Sequence, residues 1–165
     1  MTLDKTKNYL NEKHVGYQIM QHSLAYTAME IAGAQHVPGK QMIKSVIVKT
    51  NSRNIMCVLC STHLINFTKL KIILNVDDLY LANENEMESL FPDIEIGAEP
   101  PFGDLFGLEV YIDRAVSEND DIVFNAGTHT ETIKMRYSDF ANLAKAKTEN
   151  FAQHIYTEER SNFGF

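Results

Sequence analysis

The chain has 165 residues, 44% hydrophobic, 10% aromatic and 22% charged, with 15 Lys+Arg against 22 Asp+Glu and a net charge of −7. This length suits one domain that buries roughly two-thirds of its unfolded surface, and the apolar content excludes a disordered chain. The longest apolar run, Ile55–Cys60, is far short of the ~20 residues of a membrane span, and the acidic balance argues against a protein that coats nucleic acid by neutralising phosphates.

In chain order, Thr2 to about His14 reads as a polar helix with Leu3, Tyr9 and Leu10 as its sparse apolar face. Tyr17–Met20 reads as a short strand. Leu24 to Gln35 repeats Leu24, Ala28, Ile31 and Ala32 at helical spacing, and Val37-Pro38-Gly39 ends that helix. Met42 to Thr50 and Asn54 to Cys60, joined by Asn51-Ser52-Arg53, read as a hairpin. Phe67 to Leu74 is helical in pattern, Leu79–Leu81 a short strand, and Asn83 with Glu86 has the form of a capping box. Gly97 to Gly103 carries two prolines and two glycines in seven residues and cannot be regular structure. Leu108–Ile112, Asp121–Asn125 and Thr130–Arg136 read as strands, and Ser138 as the N-cap of a helix to about Lys147. The class is α+β around a mixed, mainly antiparallel sheet.

Several chemistries are absent. There is no Gly-x-Ser-x-Gly elbow and no His-Glu-x-x-His. Gly33 to Lys40 has the wrong spacing for a phosphate loop. Cys57-Val58-Leu59-Cys60 lies in an apolar strand, where a spacing of three sends the two thiols to opposite faces; it reads as core, not as a redox pair or a metal site. No metal and no cofactor is expected. Two cysteines three apart, which make no disulfide framework, and a polar N-terminus without a signal block point to a soluble, cytoplasmic protein.

Three features invite a ligand. Lys44 stands mid-strand with mostly apolar residues on both faces, so it either snorkels out or points into a cavity to meet something polar. Asn125 to His129 turns between two strands and either binds a carbonyl or anion through its amides or is a plain hairpin turn with His129 at its rim. The Gly97 to Gly103 loop either lets backbone approach a ligand or rigidly links a helix to a strand.

Taken together, Pro38-Gly39 with Lys44-Ser45-Val46-Ile47-Val48, then Leu81 to Glu86, Gly97 to Gly103, Gly107 to Asp113 and Phe124 to Glu131 resemble the YbaK/prolyl-tRNA synthetase-associated editing domain family. The resemblance runs from about His22 to Phe140. It implies a mixed sheet curled into a partly closed barrel flanked by helices, with an editing domain over residues 1–147 and an extension or tail over 148–165. It also implies an enzyme that hydrolyses the ester of a mischarged small amino acid on tRNA. On this resemblance Lys44 and His129 are the catalytic positions, and Ser45, Gly97, Ala98, Pro101, Gly103, Gly127 and Thr128 line the substrate pocket. Lys44 would anchor the substrate, amides of the two loops would stabilise developing charge, and His129 would contact water or ribose. Ser45 stands where relatives commonly carry Thr or Asn, Ile43 where a small residue is frequent, and Cys60 where Pro is common.

The expected partners are the 3′ end of a mischarged tRNA and a delivering aminoacyl-tRNA synthetase, with no membrane and no DNA. The rival reading is a non-catalytic aminoacyl- or nucleotide-binding module of the same fold. Lys40, Lys44, Lys49 and Arg53 along the first hairpin, followed by Lys69 and Lys71, form a candidate basic patch for one flexible tRNA end.

Overall fold

The computed structural model describes residues 2–22, 28–34 and 37–155. Its helices are α1 (Thr2–Glu12), α2 (Ala28–Ala34), α3 (Phe67–Leu74), α4 (Glu84–Leu90) and α5 (Tyr137–Ala144). Its strands are β1 (Tyr17–Gln21), β2 (Ile43–Lys49), β3 (Asn54–Cys60), β4 (His63–Ile65), β5 (Tyr80–Leu81), β6 (Glu109–Asp113), β7 (Asp121–Asn125), β8 (Glu131–Arg136), β9 (Lys147–Glu149) and β10 (Ala152–His154). The larger sheet runs β5-β2-β3-β6-β9, a second runs β1-β8-β7, and β4 pairs with β10. β3–β6 and β6–β9 are parallel and the other ladders antiparallel, so the mixed, mainly antiparallel α+β class holds. The described strands form separate sheets rather than a closed barrel.

The unbroken apolar run of β3 has a simple cause: both faces of the larger sheet are covered. Met56, Val58 and Cys60 enter the main core with Ile43, Ile47, Phe124, Ile133 and Phe140. Ile55, Cys57 and Leu59 enter a second core with Leu70 and Leu74 of α3, Tyr111 and Phe151. The two thiols therefore do face opposite ways. Burial raises both pKa values, that of Cys60 to about 12, so neither is a reactive thiolate at neutral pH.

Most local expectations hold. α3 occupies Phe67–Leu74, with the Asn66 side chain accepting from the Lys69 amide and Asn75 closing the helix in the left-handed region. Asn83 and Glu86 exchange both bonds of a capping box at α4. The expected helix over Leu24 to Gln35 is seen as α2, and its ends at residues 23–27 and 35–36 lie outside the described residues. Ser138 does not cap α5: β8 runs straight into the helix through Arg136, and the Tyr137 amide donates to the Asp120 carbonyl.

Of the expected extension or tail over 148–165, residues 148–155 are described, and they are built into the sheets. β9 extends the larger sheet, β10 pairs with β4, and Phe151 is fully buried. A single buried carboxylate fixes this turn: Asp113 Oδ1 accepts from the Phe151 and Ala152 amides at 3.0 and 2.9 Å, while Oδ2 accepts from Ala115.

Candidate active site

The site begins where a ladder stops. On its outer edge β2 meets β5 only at Val48 and Lys49. Near its other end a single parallel bridge, Met42 to Val123, ties it to β7. Between these contacts, no described strand lies beside Lys44, Ser45 and Val46 on that edge. The face is interrupted as well: Met42 belongs to a small cluster with Ala32 and Val123, whereas Val46 packs on the second core. Lys44 stands between the two.

No hydrogen bond or ion pair holds the Lys44 ammonium among the described residues. Burial lowers its pKa below the ordinary 10.5, and the nearby Cys60 acts weakly in the opposite direction. Ser45 points to the opposite face, and its hydroxyl is buried without a hydrogen-bond partner. Lys44 and Ser45 therefore present unsatisfied polar groups on an edge that carries no ladder.

The two glycine loops are stitched into one unit. The Gly127 amide donates to the Ala98 carbonyl at 2.9 Å, and the Glu95 amide to the Gly127 carbonyl at 3.1 Å. The Asn125 side-chain amide donates to the Gly97 carbonyl at 3.2 Å. Gly97 and Gly127 adopt φ of 91° and 101°, values that side-chain-bearing residues rarely reach. The neighbouring Phe102 plants this unit in the core, packing edge-on against Phe124 and Phe140 at centroid distances of 5.4 and 5.6 Å.

His129 clamps the same unit. Its backbone amide donates to Glu95 Oε2 at 2.8 Å, and Nε2 lies 2.8 Å from the Ile96 carbonyl. A carbonyl only accepts, so Nε2 carries a proton and donates it to Ile96. At 6% exposure this imidazole is walled in, which suits a loop clamp better than the expected contact with water or ribose. Glu99, also buried, accepts from the Gly97 amide at 2.9 Å, and burial raises its pKa.

The expected array of free loop amides changes on this geometry. Gly97, Ala98, Gly127 and His129 all spend their amides inside the loops. Among residues 126–130 only the Thr128 amide has no partner among the described residues. Pro101 is buried behind the loop, and Gly103 has a packing reason to be glycine, since a Cβ there would come 2.4 Å from the Leu108 carbonyl oxygen and from a Val110 methyl.

The basic patch is also smaller than its sequence suggests. Lys40 pairs with Glu118 at 2.7 Å, Lys49 with Glu86 at 2.6 Å and Arg53 with Glu109 at 2.9 Å. Of the six cations, Lys44, Lys69 and Lys71 remain without an acidic partner among the described residues. Sequence reading also missed Asn125 as a site residue; its signal was a polar residue closing the apolar run Ile122–Phe124.

Comparison with known proteins fits this arrangement. A family model described as the aminoacyl-tRNA editing domain matches residues 22–143. The chain belongs to the aminoacyl-tRNA editing domain family. The proline–tRNA ligase of Staphylococcus saprophyticus is 31% identical over 122 residues, 70% of this chain and 21% of the ligase. That of Thiobacillus denitrificans is 32% identical over 101 residues, 61% of this chain and 17% of the ligase. This editing-domain chain thus spans about a fifth of the relatives it matches. Its fold is shared with a crystal structure described as a candidate trans-editing enzyme for prolyl tRNA synthetase, at a TM-score of 0.82 and 18% identity over 92% of this chain and 97% of that one. Among the described residues no helix is long and apolar enough to cross a membrane.

Proposed function

We propose that this editing domain hydrolyses the ester of a mischarged small amino acid on the 3′ end of tRNA, acting apart from the synthetase that made the error. The observation that carries this reading is Lys44, a partly buried ammonium on the unpaired edge of β2 that has no partner among the described residues. An ammonium left unpaired in a cleft suits an electron-rich ligand group better than a structural role.

The ester is already activated and the neighbouring ribose hydroxyl can orient a water, so the protein needs to position and to stabilise charge. Water attacks the ester carbonyl carbon, and the oxyanion of the tetrahedral intermediate is met by the Lys44 ammonium and the Thr128 amide. Collapse expels the ribose oxygen, which takes the proton given up by the water, leaving free amino acid and free tRNA. The backbone edge of Ser45 borders the aminoacyl group with Gly97 and Ala98, Pro101 and Gly103 support the loop from beneath, and His129 holds the two loops in register. The strands of the two sheets curl around this cleft as a partly open barrel, with residues 1–147 as the editing body.

The test is a deacylation panel of tRNAs misacylated with alanine, cysteine, serine, threonine or proline. Turnover of at least one, lost in Lys44→Ala, is the expected result; a purified, folded protein that deacylates none overturns the reading. The internal use of four loop amides favours one other reading, a module that binds an aminoacyl ester without cleaving it. Binding of a non-hydrolysable aminoacyl-adenosine analogue with no turnover on the panel would select it.

A further inference from the structure

Asn125 is 4% exposed and its two amide atoms fare differently. Nδ2 donates to the Gly97 carbonyl at 3.2 Å, which fixes the orientation, because a flipped amide would set oxygen against oxygen. Oδ1 is buried with no hydrogen-bond partner. Buried acceptors without a donor are uncommon in folded proteins and call for an explanation.

The register supplies one. The parallel bridge joins Met42 to Val123, and residues bridged in a sheet share a face. Two residues further on, the same face carries Lys44 from β2 and Asn125 from β7. One holds an unpartnered donor and the other an unpartnered acceptor, at the point where the two strands separate.

We propose that Asn125 is a positioning residue for Lys44: its Oδ1 receives the lysine ammonium when the cleft is occupied, while its Nδ2 keeps the Gly97 loop at a fixed distance from that ammonium. Asn125 thereby ties the charge-bearing group to the loop that borders the substrate. Substrate enters between them, so the ammonium is aimed at the carbonyl rather than left to sample solvent along its flexible stem. A neutral amide suits this task, because a carboxylate would neutralise the charge that the oxyanion needs. The catalytic consequence rests on the deacylase reading; the contact itself does not.

The test separates the two. Lysine side-chain NMR of the protein saturated with a non-hydrolysable aminoacyl-adenosine analogue, with the Lys44 signal assigned by its loss in Lys44→Met, reads the contact without any activity. Asn125→Asp should raise the Lys44 pKa by ~1–3 units, as an opposite charge within reach does. Cys60 and His63, the titratable neighbours of Lys44, stay the same in both proteins. Asn125→Ala, the backup where the aspartate does not fold, should move the Lys44 pKa the other way by removing the acceptor. A Lys44 titration unchanged in the folded variants overturns the proposal whether or not the protein deacylates tRNA. On a substrate found by the panel, Lys44→Ala and Asn125→Ala should each lower kcat with little change in KM, and the double variant should lose no more than the worse single one. Multiplying losses would overturn it while leaving the deacylase reading intact.

Discussion

Replacing Lys44 by methionine should make the protein more stable and less active at once. Met keeps most of the apolar stem beside Leu59, its cross-strand neighbour, so little cavity forms. What disappears is an ammonium that burial already disfavours, with no acceptor to offset its desolvation. Removing such a group is expected to stabilise by on the order of 1 kcal/mol, or roughly 2–4 °C in Tm for a chain of this size. Alanine removes the stem as well, at ~0.8 kcal/mol per buried methylene, so Lys44→Ala should be neutral or destabilising where Lys44→Met is not. Turnover on a substrate from the panel should fall about 10²–10³-fold in both, as for the loss of a donor to an oxyanion.

The pH dependence follows the same sign. The folded pKa of Lys44 lies below 10.5, so between the two values the unfolded chain holds a proton that the folded one has released. Stability from this group therefore rises with pH through that window, and the deficit is full below the folded pKa. The advantage of Lys44→Met should be largest at neutral pH and shrink toward pH 10. Urea unfolding at pH 7 and 10, next to deacylation rates, measures both halves. A Met variant less stable than the wild type by ~1 kcal/mol or more, or one with full turnover, would refute the reasoning, since it would mean that the ammonium is satisfied by the fold.

Asp113→Ala leaves the Phe151, Ala152 and Ala115 amides without their carboxylate and should cost ~3–5 kcal/mol in urea unfolding, while a loss below ~1 kcal/mol would mean that the C-terminal strands are held without it. Gly127→Ala forces a side chain onto φ of 101° and should cost ~1–2 kcal/mol and slow deacylation; unchanged Tm and rate would show that the loop relaxes freely. Because only three cations of the expected patch lack an acidic partner, tRNA binding should weaken with salt at a log–log slope no steeper than about −2, measurable by fluorescence anisotropy. A slope of −5 would reveal a basic surface that the ion pairs do not neutralise.

What could be read from sequence was local. The β2–β3 hairpin, α3 and the Asn83–Glu86 box each depend on residues within a few positions of one another, and alternation along β3 was enough to place Cys57 and Cys60 on opposite faces. β4, β9 and β10 are three residues each, too short for any period to register, and they exist because distant segments meet. Phe151 was the one hint within a charged stretch, and it needs Asp113, 38 positions earlier, to hold its turn. The basic patch failed for the same reason. Lys49 is cationic by type, but Glu86, from α4, cancels it, and no pattern in the hairpin announces that partner. The loop amides looked available because Gly and Thr are types that expose backbone; that Gly127 donates to Ala98 is a tertiary fact. Lys44 alone was visible as a conflict, a charge in an apolar strand.

That conflict is the thread connecting fold to chemistry. A fold in which every local preference agreed would have paired β2 along its whole edge and placed an apolar residue at position 44. Instead β5 stops at Val48, β7 parts from β2 after Met42, and three consecutive residues are left with an open edge. On one face there, two polar groups lack partners among the described residues: the Lys44 ammonium and the Asn125 carbonyl oxygen. Each is unfavourable in the free protein, and together they complement a ligand that brings an electron-rich carbonyl and hydroxyl donors, as an aminoacyl ester of ribose does. The net charge of −7 is compatible with the proposed function, in which such a site would take the end of one nucleotide and its ester rather than a run of phosphates. Under that proposal selectivity would reside in the cleft, and affinity for the rest of the tRNA would stay low enough for the cleaned product to leave.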